Sequence, residues 1–447
     1  MKVSYKARIK RHGKRIQRIL NATVKIYRSA IKYIIKILET EYDTVKSLPS
    51  NQQVNEIEHL IHNTKDNKAK YDFDTKFYKF PSYLRREAIK TSLGIYSSWN
   101  SNYEKYLTTF KTTMPPKLTY DHAQMPVMYK DNMYVELEGE YVKIKVYDKN
   151  DWVWLEIELD KSDLKYIDKY NDWTKSNPIL EKKGKIWYLR YCFTKNIEFN
   201  TTQLENQIIV GVDLNVKNTS AVVCAMNKTG TVISRKFINC GKEKDQLNKA
   251  IQIKTASQKR CKIKKVYNDE PELYNYNNYK LKYRIISNKN KELAIQIARS
   301  IIEFALNNYA DIIVFEHLDK KGKKRFLKEK LHYWNCKMVQ NITTSLAHKK
   351  GLHVRTVCAW GTSKYAFDGS GEVNRHSENR SIATFKNGKV YNADLSASYN
   401  IASRYFIKEI QKSTPVKVWL DAVAKVPSAS SRITHTLDTL INLEYVL

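Results

Sequence analysis

Two apolar runs in this chain end at an acid, and a third acid heads a segment with helical spacing. Ile208-Ile209-Val210-Gly211-Val212 stops at Asp213, and Ile312-Ile313-Val314-Phe315 stops at Glu316. Four or five consecutive apolar residues read as a strand covered on both faces, which is the pattern of parallel strands in an α/β fold. An acid at the end of such a run sits where the buried strand emerges, and an ionised carboxylate there is costly without a partner. Asp394 lies in "VYNADLSASYNIASRYF", residues 390–406, ahead of Leu395, Tyr399, Ile401 and Phe406. Taken alone it is a good helix start, because Asp accepts backbone N–H bonds and suits the positive end of the dipole. Taken together, the three acids point to a shared site. Parallel strands bring Asp213 and Glu316 to one end of a sheet, and a helix packed across it adds Asp394. The small Ser396, Ala397 and Ser398 let that helix approach closely. Clustered carboxylates shift towards neutral forms unless a cation joins them. Oxygen ligands without His or Cys select Mg²⁺ or Mn²⁺ over zinc. Two such ions about 3.5–4 Å apart activate water and stabilise the leaving oxygen of a phosphodiester.

Charge supports a phosphate-bearing partner. The 447 residues hold 78 Lys and Arg against 46 Asp and Glu, a net +32. A field that positive opposes compaction unless something neutralises it, and nucleic-acid backbones are the usual counter-charge. Twelve of these cations fall within residues 1–36. From Ile16 onward, Ile19, Leu20, Val24, Tyr27, Ile31, Ile34, Ile35 and Leu38 recur at helical spacing, which leaves the cations on the remaining face. No apolar stretch is long enough to span a bilayer, and no secretory leader is expected from the charged residues from Lys2 onward. The six cysteines, at 192, 224, 240, 261, 336 and 358, include no C-x-x-C pair. That argues against a disulfide framework and a zinc ribbon, and predicts a cytoplasmic protein.

Texture divides the chain. "FPSYLRREAIKTSLGIYSSW" predicts a second helix opened by Pro81 and Ser82, with Leu84, Ala88, Ile95 and Trp99 on one face. Residues 46–75 read as a polar, mobile interruption. Residues 117–200 alternate in period two, as in "YVELEGEYVKIKVYD", "DWVWLEIEL" and "KIWYLRYCF", and predict a small antiparallel barrel. Beyond 205 three strands, a basic Tyr/Asn-rich section over 242–292, a helix and the strand "DIIVFEHL" follow. A helix over about 330–350 and the strand "HVRTV" lead to an irregular segment, 358–390.

"GVDLNVKNTSAVV", "IIVFEHL" and "YNADLSASYNIA" resemble the three RuvC motifs of the TnpB nucleases and type V CRISPR effectors. "FPSYLRREAIKTSL" is similar to a helix of their recognition lobe. The resemblance covers most of the chain in order. It implies a multidomain α+β and α/β fold: a basic segment 1–15 joining the barrel, a helical recognition unit 16–112, and a wedge-type β-barrel 113–205. A split RNase H-like RuvC nuclease would follow over 206–357 and 391–447, around a zinc-finger-like insertion, 358–390. It implies an RNA-guided DNA endonuclease that cuts beside a short adjacent motif. Asp213, Glu316 and Asp394 would then be catalytic and hold two Mg²⁺ (or Mn²⁺) ions. The implied partners are a guide RNA and target double-stranded DNA, with no membrane, and a monomer or homodimer on one RNA. Arg8, Lys10, Arg11, Lys14, Arg15, Arg18, Arg85 and Arg86 are the candidate nucleic-acid contacts.

One departure stands out. After Thr362 and Ser363 the family carries cysteines where this chain has Ala366 and Gly369, and "FKNGKVYNAD" has none. No zinc is therefore expected. Packing of Trp360, Tyr365 and Phe367 is expected to hold the segment instead. A guided DNA-binding protein without cleavage and an unguided transposase or resolvase stand as alternatives.

Overall fold

A computed structural model describes residues 1–10, 13–109, 114–120, 125–215, 220–267, 277–318 and 327–447. They sort into two units, Met1–Asn196 and Ile197–Leu447.

The first unit opens with strand β1 (Lys2–Arg8) and helices α1 (Lys14–Lys46), α2 (Ser50–Ile61), α3 (Phe73–Lys76) and α4 (Ser82–Thr109). Strands β2 (Tyr134–Glu136), β3 (Tyr141–Asp148) and β4 (Asp151–Glu158) come next. Helix α5 (Lys161–Ile167) and strands β5 (Thr174–Lys175), β6 (Ile179–Lys183) and β7 (Ile186–Thr194) complete it. All eight apolar positions of the α1 stripe from Ile19 to Leu38 are buried. On α4, Leu84 and Ala88 are buried with Ile89, while Ile95 and Trp99 pack at the edge of the same core. The interruption expected over 46–75 is instead largely structured. Val54, Ile57 and Ile61 give α2 a short apolar stripe, and Phe73 packs against Phe77 and Phe80. Val54, Ile57, Leu60 and Ile61 are the only apolar residues of α2, too few to stand out among its polar ones.

The strands pair as two antiparallel sheets, β2-β3-β4 and a second in which β1, β5 and β6 all pair with β7. A single bridge, Ile9 to Leu159, links the ends of β1 and β4. β7 shows the expected alternation, with Trp187, Leu189, Tyr191 and Phe193 inward.

The second unit begins with β8 (Ile208–Leu214), β9 (Ala221–Asn227) and β10 (Val232–Ile238), then α6 (Gly241–Tyr267) and α7 (Asn277–Asn307). Residues 268–276 of the Tyr/Asn-rich section lie outside the described residues. β11 (Ile312–Glu316), α8 (Leu327–Lys349) and β12 (His353–Val357) follow. After them come β13 (Asn374–Arg375), β14 (Ile382–Thr384), β15 (Val390–Asn392), α9 (Ala393–Ser413), α10 (Val416–Lys425) and α11 (Leu437–Val446). Five strands form one sheet in the order β10-β9-β8-β11-β12. β8, β9 and β10 are antiparallel neighbours, whereas β11 runs parallel to both β8 and β12. One face buries Val210, Val212, Ile313 and Phe315 under residues of α7 and α8. The other buries Ile209, Ile312 and Val314 under α9, α10 and α11. Coverage on both faces explains the unbroken apolar runs.

Candidate active site

Register decides where the first two acids meet. Val212 of β8 lies opposite Phe315 of β11 in a parallel pair, so the next step along both strands brings Asp213 beside Glu316. Residues two apart share a face. Asp213 therefore shares the α9 face with Ile209, and Glu316 shares it with Ile312 and Val314.

Helix α9 brings Asp394 to the same place, but not as its own cap. The side chain of Asn392 takes that role, accepting from the amides of Asp394 at 3.1 Å and Leu395 at 2.9 Å. The Asp394 carboxylate, in the first turn and 5% exposed, is left free for other partners. Close approach of α9 to the sheet depends on Gly211. A Cβ there would stand 2.5 Å from the Ser398 carbonyl oxygen and 2.9 Å from the Ala402 Cβ. The Cys224 thiol also donates to the Ser398 carbonyl, at 3.3 Å. The small-residue stretch thus works with a glycine facing it from the strand.

Asp213 feels the charges of the other two carboxyls. Burial pushes Asp213 well above the usual carboxylate range, and the charges of Glu316 and Asp394 push it further, while Arg375 opposes. Burial also raises Glu316, against a hydrogen bond from Thr362 and the Arg404 charge. It raises Asp394 too, against Asn215 and Arg375. Neighbouring groups hold the carboxylates individually. Asn215 donates to Asp213 at 3.1 Å, the Thr362 hydroxyl donates to Glu316, and an Arg375 guanidinium nitrogen stands 3.9 Å from Asp394. Gln340 of α8 fixes the end of β11 by donating to the Glu316 carbonyl at 2.9 Å. Buried Cys336 lies within reach of the Asp213 and Glu316 charges, and burial pushes its thiol up to about 12, so it stays protonated.

Among the described residues, no three carboxylate, imidazole or thiol groups stand close enough together to grip one ion. The donor chemistry nevertheless fits a hard divalent cation. Burial raises all three oxygen-ligand acids, the charges of Glu316 and Asp394 raise Asp213 further, and a cation relieves that conflict.

Residues 358–390 are held in part as expected, since Phe367 packs against Phe385, Tyr391 and Tyr399. Trp360 is 75% exposed and encloses nothing. The small core is Ala366, Ala383, Phe385 and Ala393, with Phe367, Val373 and Tyr391 against it. Polar groups of α9 pin the segment. Arg404, 3% exposed, donates to the carbonyls of Cys358 and Trp360 at 2.7 Å each, of His435 at 3.0 Å and of Ile433 at 2.6 Å. Asn400 donates to the carbonyls of Thr362 at 3.0 Å and Tyr365 at 2.9 Å.

The proposed nucleic-acid contacts separate into groups. Arg8, Lys14, Arg15 and Arg18 are exposed, with Arg18 3.8 Å from Asp148. Lys10 pairs with Glu158 at 2.8 Å. Arg11 lies outside the described residues. Arg85 requires correction: it is 6% exposed and paired with Glu58 at 3.1 Å and Asp74 at 3.8 Å, so it ties α4 to α2 and α3. Arg86 keeps half its side chain exposed while meeting the same Glu58 at 3.2 Å.

With this geometry established, comparison with known proteins places the fold. Of solved structures, a Cas12f1 in complex with an sgRNA and target DNA aligns over 87% of this chain and 82% of its own, with 15% identity and a TM-score of 0.51. The two share a fold. CasPhi-2 (Cas12j), bound to crRNA and phosphorothioate DNA, aligns over 91% of each chain with 11% identity and a TM-score of 0.49. A family model described as the Aq_aa04 family matches residues 3–148. No curated protein matches the chain. No helix among the described residues is long and apolar enough to cross a membrane.

Proposed function

We propose that this protein is an RNA-guided DNA endonuclease of the type V effector and TnpB kind. The observation that carries the reading is the meeting of Asp213 and Glu316 on adjacent parallel strands with Asp394 at the start of the helix above them. The shared fold with a Cas12f1 solved with sgRNA and target DNA supports the guided part of it. On this reading α1 to α4 form the recognition unit, the two antiparallel sheets are the wedge, and the five-stranded sheet with α9 is a split RuvC nuclease.

Asp213, Glu316 and Asp394 would hold two Mg²⁺ ions, which would supply an activated water and stabilise the leaving oxygen. The chain's own residues prepare the site. Gly211 lets α9 bring Asp394 down to the sheet. Thr362 and Asn215 orient Glu316 and Asp213. Arg375 balances charge at Asp394 and is a ready partner for a phosphate oxygen. No zinc is needed, because Arg404 and Asn400 already pin the adjoining segment.

The test is guided cleavage by protein purified with its co-expressed flanking RNA. Asp213→Ala, Glu316→Ala and Asp394→Ala should each abolish cutting in Mg²⁺ and leave guided DNA binding intact. A variant that cuts at near wild-type rate would remove that residue from the site. Purified protein that carries no RNA would return the unguided reading.

A further inference from the structure

Strand β10 is the outermost strand of the five-stranded sheet on the β8–β9 side, and its residues line up with the candidate site. Phe237 pairs across the ladder with Val222 of β9, which pairs in turn with Asp213 of β8. Directly opposed residues share a face, and Val222 is buried on the α9 side. Phe237 therefore stands on the face that carries the acids, two strands or about 10 Å from Asp213. Its side chain is 42% exposed, so the row runs from a buried acid to an open aromatic surface. Arg235, its neighbour on this face, is exposed as well and lies in the row of Cys224 and Gly211. Its guanidinium hydrogen-bonds the hydroxyls of Tyr399 on α9 and Tyr391 on β15, which are 3.2 Å apart. A guanidinium has five donors, so these two contacts orient it and leave capacity for a phosphate. Lys389 adds a second cation, 5.3 Å from the Tyr391 ring centre. An aromatic face set among cations suits a single-stranded nucleic acid, whose bases stack while its backbone is neutralised. A duplex keeps its base faces stacked inside, so the occupant is an unpaired strand.

From this we infer that Phe237 and Arg235 position the DNA strand to be cut. A base next to the scissile phosphate stacks on Phe237, and Arg235 holds the adjoining phosphate. Together they align the scissile phosphate with Asp213, Glu316 and Asp394 from the β10 side. The inference rests on the proposed nuclease function and deepens it by naming the residues that seat the substrate. Both are positioning residues and take no part in making or breaking the bond.

Two readouts test it, one of which needs no cleavage. Full-length protein in EDTA is irradiated with a short single-stranded DNA in which 5-iodouracil, a crosslinker of stacked aromatic rings, replaces thymine. The crosslinked peptide should contain Phe237, and Phe237→Leu should lose the crosslink. In Mg²⁺ with guide RNA, single-turnover cutting should fall about tenfold in Phe237→Ala, the usual size of a lost base stack. Phe237→Trp, which keeps an aromatic face, should restore it, and guide affinity should not change. Arg235→Gln should slow cutting in the same way. An abasic nucleotide beside the cut should slow the wild type as much as Phe237→Ala does, and should not slow that variant further. Crosslinks that avoid β10, or an abasic effect that adds to that of Phe237→Ala, would overturn the inference. A crosslink at Phe237 in a protein that never cuts would keep the strand path and refute the nuclease reading. Normal cutting without the crosslink would do the reverse, so the two fail separately.

Discussion

Asp213 carries the largest unrelieved charge conflict in the described site, since burial and two other acids all oppose its ionised form. Neutralising it without changing its shape should therefore stabilise the metal-free protein. Asp213→Asn is expected to raise the metal-free melting temperature and to abolish the further rise that Mg²⁺ gives the wild type. A variant that melts lower and still responds to Mg²⁺ would place this acid outside the cation site. At the opposite extreme is Arg404, a buried cation that satisfies four carbonyls from two separate segments. Arg404→Leu leaves those acceptors unpaired and should cost about 3 kcal/mol or more in urea denaturation. Trp360→Ala, at an exposed side chain, should stay within about 0.5 kcal/mol of wild type. Equal costs for the two would mean that the indole does hold the segment. The acids were legible because an acid after an apolar run breaks a pattern. Arg404 was not, because nothing in a single sequence distinguishes a buried cation with backbone partners from one in water.

At the scale of elements, the closest approach in the candidate site is that of α9 to β8. Gly211→Ala sets a methyl against the Ser398 carbonyl and the Ala402 side chain, neither of which is a flexible chain end. The helix must move away, at a cost of about 1–3 kcal/mol, and it takes Asp394 with it. Slower cleavage with unchanged guide binding is expected, and single-turnover kinetics would reveal it. A wild-type rate would mean that the helix position is not critical. The segment before α9 is held by the Arg404 and Asn400 hydrogen bonds and a small apolar core. Metal analysis of the pure protein should therefore find no stoichiometric zinc, and chelation followed by Mg²⁺ should restore activity. One zinc per chain would reverse that conclusion.

For the whole molecule, the net +32 charge sets the terms of binding. Lys14, Arg15 and Arg18 stand exposed at the start of α1. Replacing all three with Gln should lower the slope of log K against log salt for RNA binding by about two to three. An unchanged slope would mean that this turn faces water. Net charge is fixed by composition, and the α1 stripe and the alternating and unbroken apolar strands by which side chains recur at a period of two or 3.6 or in an unbroken run, so the sequence by itself determined them. The unit boundary, the strand order and the partners of buried polar groups are not local. Asn392 rather than Asp394 caps α9, Arg85 is paired inside a helical cluster, and Gly211 faces Ser398 across nearly two hundred residues of chain. Only the tertiary structure decided these, because a carboxylate, guanidinium or missing Cβ takes its meaning from what the fold packs against it.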